Sequence, residues 1–400
     1  MNTISNIPYI SDAFYEHEKR IWRTAWLVAG RASDLDEAGK FITLDLSAIN
    51  VSIFVVRDSA GKLNAFHNIC PHRNGRLVCD YQGKKAAITC RYHGWTFQLD
   101  GKLRGIPEQH LFPDINKNDY SLMPVRVDTW GGFVFVNLDS TPEYTLEEYM
   151  SGLPRGLEAY LADPDWYWYT GYQKKFRANW KDLLNIQHEG YHASHVHRKT
   201  LGVYFTPEDC ANTLFEDSPG VCSRLTVLRP LASEDLQAKM TIIQHIAMNH
   251  GTTSNWVDQD TSVAAKQIAN SVNLDGSNRW VFDCYTIFPN LLLFIGTDVL
   301  TIMISWPRNA HEAEWEIDWF HKDKLRNFGN LFSREQGRLA TRNALTEDWP
   351  VVEWAHENMR TGLIDKSTIG SEMEATVWAH YIKLLQHLNL SEDGLQNEYA

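Results

Sequence analysis

Cys70-Pro71-His72-Arg73-Asn74-Gly75 and Cys90-Arg91-Tyr92-His93-Gly94-Trp95 decide how the chain is read. Each short segment supplies one thiol and one imidazole, and seventeen residues separate His72 from Cys90. Turn-forming residues follow both, Asn74-Gly75 in the first and Gly94 in the second. Four such ligands on two loops make a metal site. Cys₂His₂ ligation fits tetrahedral zinc. It also fits a [2Fe–2S] centre in which two imidazoles replace two thiolates on one iron. Zinc fingers group like ligands together, whereas here each loop carries one of each kind. That order favours the iron–sulfur centre, with both loops touching both irons.

The segments around this pair read as short strands. Phe41–Leu44, Val51–Val56, Ala86–Thr89 and Phe133–Val136 are β-branched or aromatic runs, separated by Ala60-Gly61, Gln82-Gly83 and Asp100-Gly101. An all-β domain is expected over 40–155. Residues 11–26 carry a helical pattern through Phe14, Ile21, Trp22 and Ala25. Residues 1–39 are expected to pack on the following domain. Pro142, Pro154 and Pro164 punctuate a connector with a helical piece over Leu146–Leu161.

A second domain is expected over 156–400. Trp166–Phe176, Ser223–Leu228, Trp280–Phe288, Leu291–Ile295, Leu300–Trp306 and Ala313–Phe320 read as strands, the last four at hairpin spacing. Helices are expected over Trp180–His192, Glu335–Arg360 and Met373–Leu388. This predicts an α+β fold with an antiparallel sheet and segregated helices. Asn249–Asn278 has the composition of a loop, and Tyr204–Phe215 with Ile242–Ile295 are the expected pocket walls.

The second domain carries its own polar motif, Asp182-Leu183-Leu184-Asn185-Ile186-Gln187-His188-Glu189-Gly190-Tyr191-His192-Ala193-Ser194-His195-Val196-His197. On a helix, Asp182, Asn185, Glu189 and His192 share a face. Such a row needs a metal or solvent. Histidines beside a carboxylate suit the 2-His-1-carboxylate triad of a non-heme Fe(II) site, which leaves positions open for O₂ and substrate. The bland alternative is a solvated, histidine-rich helix face.

Taken together, these motifs resemble those of the large subunits of Rieske non-heme iron oxygenases, the aromatic-ring-hydroxylating dioxygenase family. The resemblance spans nearly the whole chain. It implies a Rieske cluster on Cys70, His72, Cys90 and His93, then a helix-grip-like catalytic domain. Cys79 is then no ligand and is expected to be a packed thiol. Asn74 stands where the family commonly has Gly. The family pattern selects His192 and His197 as iron ligands over His188 and His195, with His195 the main rival of His197. It places Asn185 four residues before Glu189. A late acidic stretch, Glu347-Asp348-Trp349-Pro350, points to Asp348 as third ligand, ahead of Glu347 and Glu353. The bland reading of that stretch is an acidic helix start, with Pro350 in the first turn. The family more often has Asp at the Glu189 position. There the acid links an iron-ligand histidine to the cluster of a neighbouring subunit.

The resemblance also implies O₂ as co-substrate, an external reductase or ferredoxin drawing on NAD(P)H, and a homotrimer, with a small β subunit as a possible addition. No Gly-x-Gly-x-x-Gly follows a strand, so nicotinamide binding in this chain is not expected. An aromatic substrate is the first expectation. Monooxygenation at a methyl or quaternary ammonium group is the second, and Glu189 in place of Asp raises it slightly by resemblance to carnitine-type enzymes. Two other classes stay open: a Rieske electron carrier, and a zinc-stabilised binding protein.

Composition bounds these readings. With 38 Lys and Arg against 50 Asp and Glu, the net charge is −12, and no basic stripe suits a nucleic acid. No apolar run reaches the ~20 residues of a membrane helix, and no signal peptide is read. A cytoplasmic location is the resulting expectation. Six scattered cysteines suggest metal binding rather than a disulfide framework.

Overall fold

The computed structural model describes residues 2–200, 207–228, 241–250, 271–297, 299–322, 327–370 and 372–399. The chain divides into two compact units, Lys19–Tyr149 and Met1–Glu18 together with Met150–Ala400. The expected division at 39/40 therefore falls elsewhere. Residues 19–39 go with the all-β unit because Leu27–Arg31 is a strand paired with Phe133–Asn137. The helical pattern over 11–26 resolves into two short helices, Asp12–Glu18 and Ile21–Thr24.

The Lys19–Tyr149 unit holds a seven-stranded antiparallel sheet. Its order is Leu27–Arg31, Phe133–Asn137, Pro124–Trp130, Leu63–His67, Val51–Arg57, Lys40–Leu46 and Gln82–Lys84. A smaller sheet joins Ile88–Thr89, Thr96–Phe97 and Leu103–Gly105. Phe41, Phe54, Val56, Phe66, Ile88, Trp95 and Phe97 form one buried cluster that includes Cys70 and Cys90. The metal loops thus rise directly from the core.

The other unit is built on a second seven-stranded antiparallel sheet. Its order is Tyr167–Phe176, Glu312–His321, Val299–Asn309, Leu291–Ile295, Trp280–Ile287, Val221–Leu228 and Cys210–Leu214. Glu312–His321 shows why these residues form strands. Ala313, Trp315, Ile317 and Trp319 are buried and alternate with Glu312, Glu314, Glu316 and Asp318 on the other face. A side-chain period of two suits a pleated strand with one covered face.

Three helices of this unit carry the argument: Trp180–His188, Phe328–Met359 and Ala375–Leu388. The first is started by Asn179. Its side chain accepts from the Lys181 N–H at 3.1 Å, while Asp182 Oδ2 accepts from the Asn179 N–H at 3.0 Å. These two bonds satisfy amides that a helix start leaves open. Trp180 is fully buried and anchors the helix to the core; truncating such a side chain costs roughly 3–5 kcal/mol. Its indole N–H and the Lys181 ammonium both donate to Glu18, so Asp12–Glu18 is tied to this helix by a fully buried ion pair. The first eighteen residues thus belong to this unit.

Two helical expectations are corrected. The helix expected over Trp180–His192 stops at His188, because Glu189 is extended (φ −131°, ψ 157°). The Glu189 carboxylate accepts the N–H groups of Tyr191 and His192, which draws the backbone out of the helix ahead of the short helix Ala193–Val196. Pro350 lies inside the 32-residue helix Phe328–Met359 rather than in a first turn, so Glu347 and Asp348 are interior helix residues. The expected helical piece over Leu146–Leu161 is two short helices, Leu146–Tyr149 and Leu157–Leu161. Of the expected loop at 249–278, residues 251–270 lie outside the described residues, as do 204–206 and 251–270 of the expected pocket walls.

Candidate metal centres

The two Cys/His loops share one backbone design. The Asn74 N–H donates to Cys70 O at 3.0 Å, and the Gly94 N–H donates to Cys90 O at 2.9 Å. Cys70 N–H reaches Gly75 O, and Cys90 N–H reaches Trp95 O, both at 2.8 Å. Both turns close on a left-handed residue, Asn74 at φ 60° and Gly94 at φ 72°. Asparagine tolerates this region better than other residues with a Cβ, so Asn74 does there what Gly94 does in the second loop. At Gly75 an added Cβ would come within 3.0 Å of Cys90 Sγ, so glycine keeps the loops close.

The loops bring the four residues together. Cys70 and Cys90 are both buried and interact directly; burial, with the neighbouring Cys90, pushes the Cys70 thiol up to about 11. A buried thiol that resists ionisation, beside a second buried thiol, calls for a cation to hold the pair as thiolates. The His72 and His93 rings lie 4.6 Å apart between centroids and are only half-buried. Burial, His93 and Arg73 lower the His72 pKa, which keeps that ring neutral as ligation requires. Trp95 stacks on His72 at 4.6 Å and Tyr92 on His93 at 3.8 Å, fixing both rings. Thiols inward and imidazoles outward is the polarity of a cluster that exchanges electrons through its histidines. The donor set fits a Rieske cluster. Cys79 is exposed and not packed, contrary to expectation: it follows the buried pair Leu77-Val78 where the chain turns outward.

The second centre gathers residues from two segments, the flanks of the short helix Ala193–Val196 and the helix Phe328–Met359. Among the described residues, His192, His197 and Asp348 offer ligand atoms that all lie within 4.8 Å of one another. Asp348 Oδ1 is 3.2 Å from His197 Nε2 and 3.6 Å from His192 Nε2. That oxygen is buried and makes no hydrogen bond. Its mate Oδ2 accepts from Gln187 Nε2 at 2.9 Å.

The far nitrogens of the two rings explain the geometry. His192 Nδ1 is 2.5 Å from Glu189 Oε1, and His197 Nδ1 is 3.1 Å from Glu347 Oε2. Both carboxylates can only accept when ionised, so both rings carry their hydrogen on Nδ1. Both Nε2 lone pairs then face the bare oxygen of Asp348. Three electron-rich atoms converge with no hydrogen among them, an arrangement a divalent cation satisfies. Burial pushes the Asp348 carboxyl up to about 7.

The remaining candidates are placed as follows. His195 is exposed, with Nδ1 3.0 Å from Ser194 Oγ, and is not at the centre. His188 is buried against His380 with both ring nitrogens unbonded. Glu347 serves His197 and accepts from Thr200 Oγ1 at 2.6 Å. Glu353 pairs with Arg177 at 3.2 Å, away from the three. Asn185 donates to the Tyr9 hydroxyl at 3.0 Å, and its Oδ1 is buried and unbonded. Gln187 was not anticipated, since a lone glutamine inside a polar motif carries no signal of its own.

Two centres of this chemistry in one chain define a Rieske-type protein with a separate mononuclear metal site. Residues 25–116 match the Rieske [2Fe-2S] domain family, and residues 157–389 match the ring hydroxylating alpha subunit (catalytic domain) family. The chain belongs to the ring-hydroxylating alpha-subunit family. It is a terminal oxygenase, an oxidoreductase that uses O₂ with a [2Fe–2S] cluster and a mononuclear iron and receives electrons from a separate reductase or ferredoxin. Among curated proteins it is similar to the glycine betaine monooxygenase oxygenase subunit of Pseudomonas aeruginosa (strain UCBPP-PA14). The two are 27% identical over 346 residues, 81% of this chain and 77% of the relative. Among solved structures it is similar to a quaternary ammonium Rieske monooxygenase linked to carnitine oxidation by gut microbiota. That match has TM-score 0.73 and 21% identity, and covers 96% of this chain and 95% of the other. It is also similar to naphthalene 1,2-dioxygenase from Rhodococcus sp. (TM-score 0.72, 17% identity, 97% and 94% covered). The fold is thus shared by enzymes of both expected substrate classes. No helix among the described residues is long and apolar enough to cross a membrane.

Proposed function

We propose that this oxygenase hydroxylates a small quaternary ammonium compound, with the cluster held by Cys70, His72, Cys90 and His93 and the iron by His192, His197 and Asp348. The observation that carries the substrate class is the 27% identity to a glycine betaine monooxygenase subunit across 81% of the chain. An aromatic substrate, the first expectation, draws no such support.

The electrostatics support the same reading. Glu189, Glu347 and Asp348 surround the two histidines, and Glu374 is near enough to raise the His192 pKa along with Glu189 and Asp348; burial opposes them. An acidic wall attracts a cation and gives an uncharged aromatic ring nothing.

When bound, the cluster supplies single electrons and the mononuclear iron the place where O₂ is activated. This chain's residues prepare that place. Glu189 and Glu347 each take the Nδ1 hydrogen of a ligand histidine, which aims both Nε2 lone pairs at one point. Gln187 holds one oxygen of Asp348 and leaves the other free. Gly190, between Glu189 and Tyr191, sits where the helix ends. Glu189 Oε2 bonds the backbone of Tyr191 and His192, so its reach toward a neighbouring copy's cluster is set by the same bend. The homotrimer belongs to this proposal, since that acid has its role only between copies.

The test is turnover of the holoenzyme with a surrogate reductase and NADH. Glycine betaine, carnitine and naphthalene are offered separately. A product one oxygen heavier, or its dealkylated remainder with an aldehyde, from a quaternary ammonium compound is the expected result. Turnover of naphthalene alone overturns the substrate class.

A further inference from the structure

Outside both centres, four side chains run in a line from the surface to the helix Trp180–His188. Asp12, 86% exposed in its side chain, places Oδ1 3.7 Å from His311 Nε2. His311, in the turn between Val299–Asn309 and Glu312–His321, places Nδ1 3.2 Å from His356 Nε2. His356, buried on Phe328–Met359, places Nδ1 2.8 Å from Asp182 Oδ2. That oxygen already accepts from the Asn179 N–H.

The hydrogens of this line follow from its ends. Asp182 Oδ2 accepts, so His356 carries its hydrogen on Nδ1. With a single hydrogen on the His356 ring, Nε2 is a lone pair, and His311 then donates to it from Nδ1. His311 Nε2 is left open on the solvent side, facing Asp12. Both rings therefore point their N–H the same way, from surface to interior. That common direction is the one stepwise proton transfer along the line uses.

We propose that Asp12, His311, His356 and Asp182 form a proton relay from solvent to the helix that leads into the iron-site motif. A proton bonds to His311 Nε2. The Nδ1 hydrogen of His311 passes to His356 Nε2, and that of His356 passes to Asp182 Oδ2. Both rings end neutral, and one proton has moved inward. Oxygen reduction by this protein uses two electrons from its reductase and two protons. The proton count is the same whether O₂ leaves as hydrogen peroxide or as one hydroxyl group and one water. Asp182 stands three residues before Asn185, whose amide meets Tyr9, and the helix ends on Glu189, which holds His192.

The groups around the line suit transfer rather than storage. Lys181 and Tyr9 face Asp182, and Arg360 and Asp12 face His311. Burial, then Arg360 and His356, lowers the His311 pKa, so a proton arriving there moves on.

The test uses His311→Gln, at a half-exposed turn, whose amide still donates to His356 but cannot relay. Holoenzyme reduced beforehand is mixed with O₂, with and without glycine betaine, and oxygen uptake is followed. The variant should slow roughly tenfold or more, and added imidazole should restore the rate. Wild-type speed in the variant, or slowing that imidazole does not relieve, overturns the relay. Independently, ¹⁵N spectra of histidine-labelled holoenzyme should place the hydrogens of both rings on Nδ1; a hydrogen on His356 Nε2 overturns it too. The relay rests on the oxygenase class and not on the substrate proposal. Oxygen uptake needs protons even without substrate, whereas failure of the substrate proposal shows in the product.

Discussion

Glu189 Oε1 lies 2.5 Å from His192 Nδ1, while Oε2 of the same carboxylate bonds the backbone N–H groups of Tyr191 and His192. One side chain thus sets the hydrogen position of a ring in the proposed iron site and also ends the helix that leads to it. The extra methylene of Glu relative to Asp is spent on this doubled contact.

Glu189→Ala removes both functions. The cluster, in the other unit, should keep its visible absorption and rhombic EPR signal. Iron affinity of the second centre should fall roughly 10–100-fold, the usual cost of deleting the partner of a ligand histidine. Product formed per cluster oxidised should fall as well. Iron analysis after dialysis against a chelator, alongside single-turnover product yield, reads both; unchanged values would show that His192 holds its orientation without the carboxylate.

Asp348→Asn separates the triad from its rivals. Asn keeps the shape and the bond from Gln187 but loses the charge that two Nε2 lone pairs face. Iron content should drop to that of the cluster alone. His195→Ala should leave it unchanged, because His195 is exposed and bonded to Ser194. Iron loss in His195→Ala with retention in Asp348→Asn would reverse the assignment.

How much of this could be read from residues alone depended on the distance over which the signal acts. The strand Leu291–Ile295 was legible at its observed limits as a short apolar run between turn residues, and Glu312–His321 nearly so by its alternation, because both signals are local. The pairing of Cys70 with Cys90 was legible because ligand chemistry restricts the residue types. Leu63–His67, Pro124–Trp130 and Cys210–Leu214 were missed, since each is paired on both sides or at an edge without a clean alternation of its own. The break at Glu189 was missed because the polar residues continued at helical spacing beyond it. A side chain that bonds its own backbone overrode that pattern. Gln187 with Asp348, and His311 with His356, are contacts between segments 161 and 45 residues apart, which no local periodicity reports.

Asn74 at φ 60° makes a sharper test of the first loop. Asn74→Gly should be neutral, since glycine adopts this conformation freely. Asn74→Val places a β-branched residue where the left-handed region disfavours it, costing roughly 1–2 kcal/mol or more. The Val variant should therefore lose its cluster absorbance at a lower temperature than either Asn or Gly. Equal cluster loss in Gly and Val would mean that the Asn74 side chain, not its backbone, supports the loop.

Glu316 extends the argument to pH. Burial, and then Asp318, raise its carboxyl from 4.5 to about 7, against which Trp306 Nε1 at 3.4 Å and the Gln173 side chain donate hydrogen bonds. Between pH 4.5 and 7 the folded protein holds a proton here that the unfolded chain has released. Folding stability from this group is thus full below 4.5, falls as pH rises through the window, and is lost above about 7. The full shift corresponds to about 3 kcal/mol, and partial exposure reduces that to about 1–2 kcal/mol. Glu316→Gln keeps an uncharged side chain of the same length at every pH. It should melt with the wild type near pH 4.5 and above it at pH 8. Equal melting temperatures at pH 8 would mean that the Glu316 carboxylate is better solvated on its sheet face than its neighbours Glu314 and Asp318 suggest.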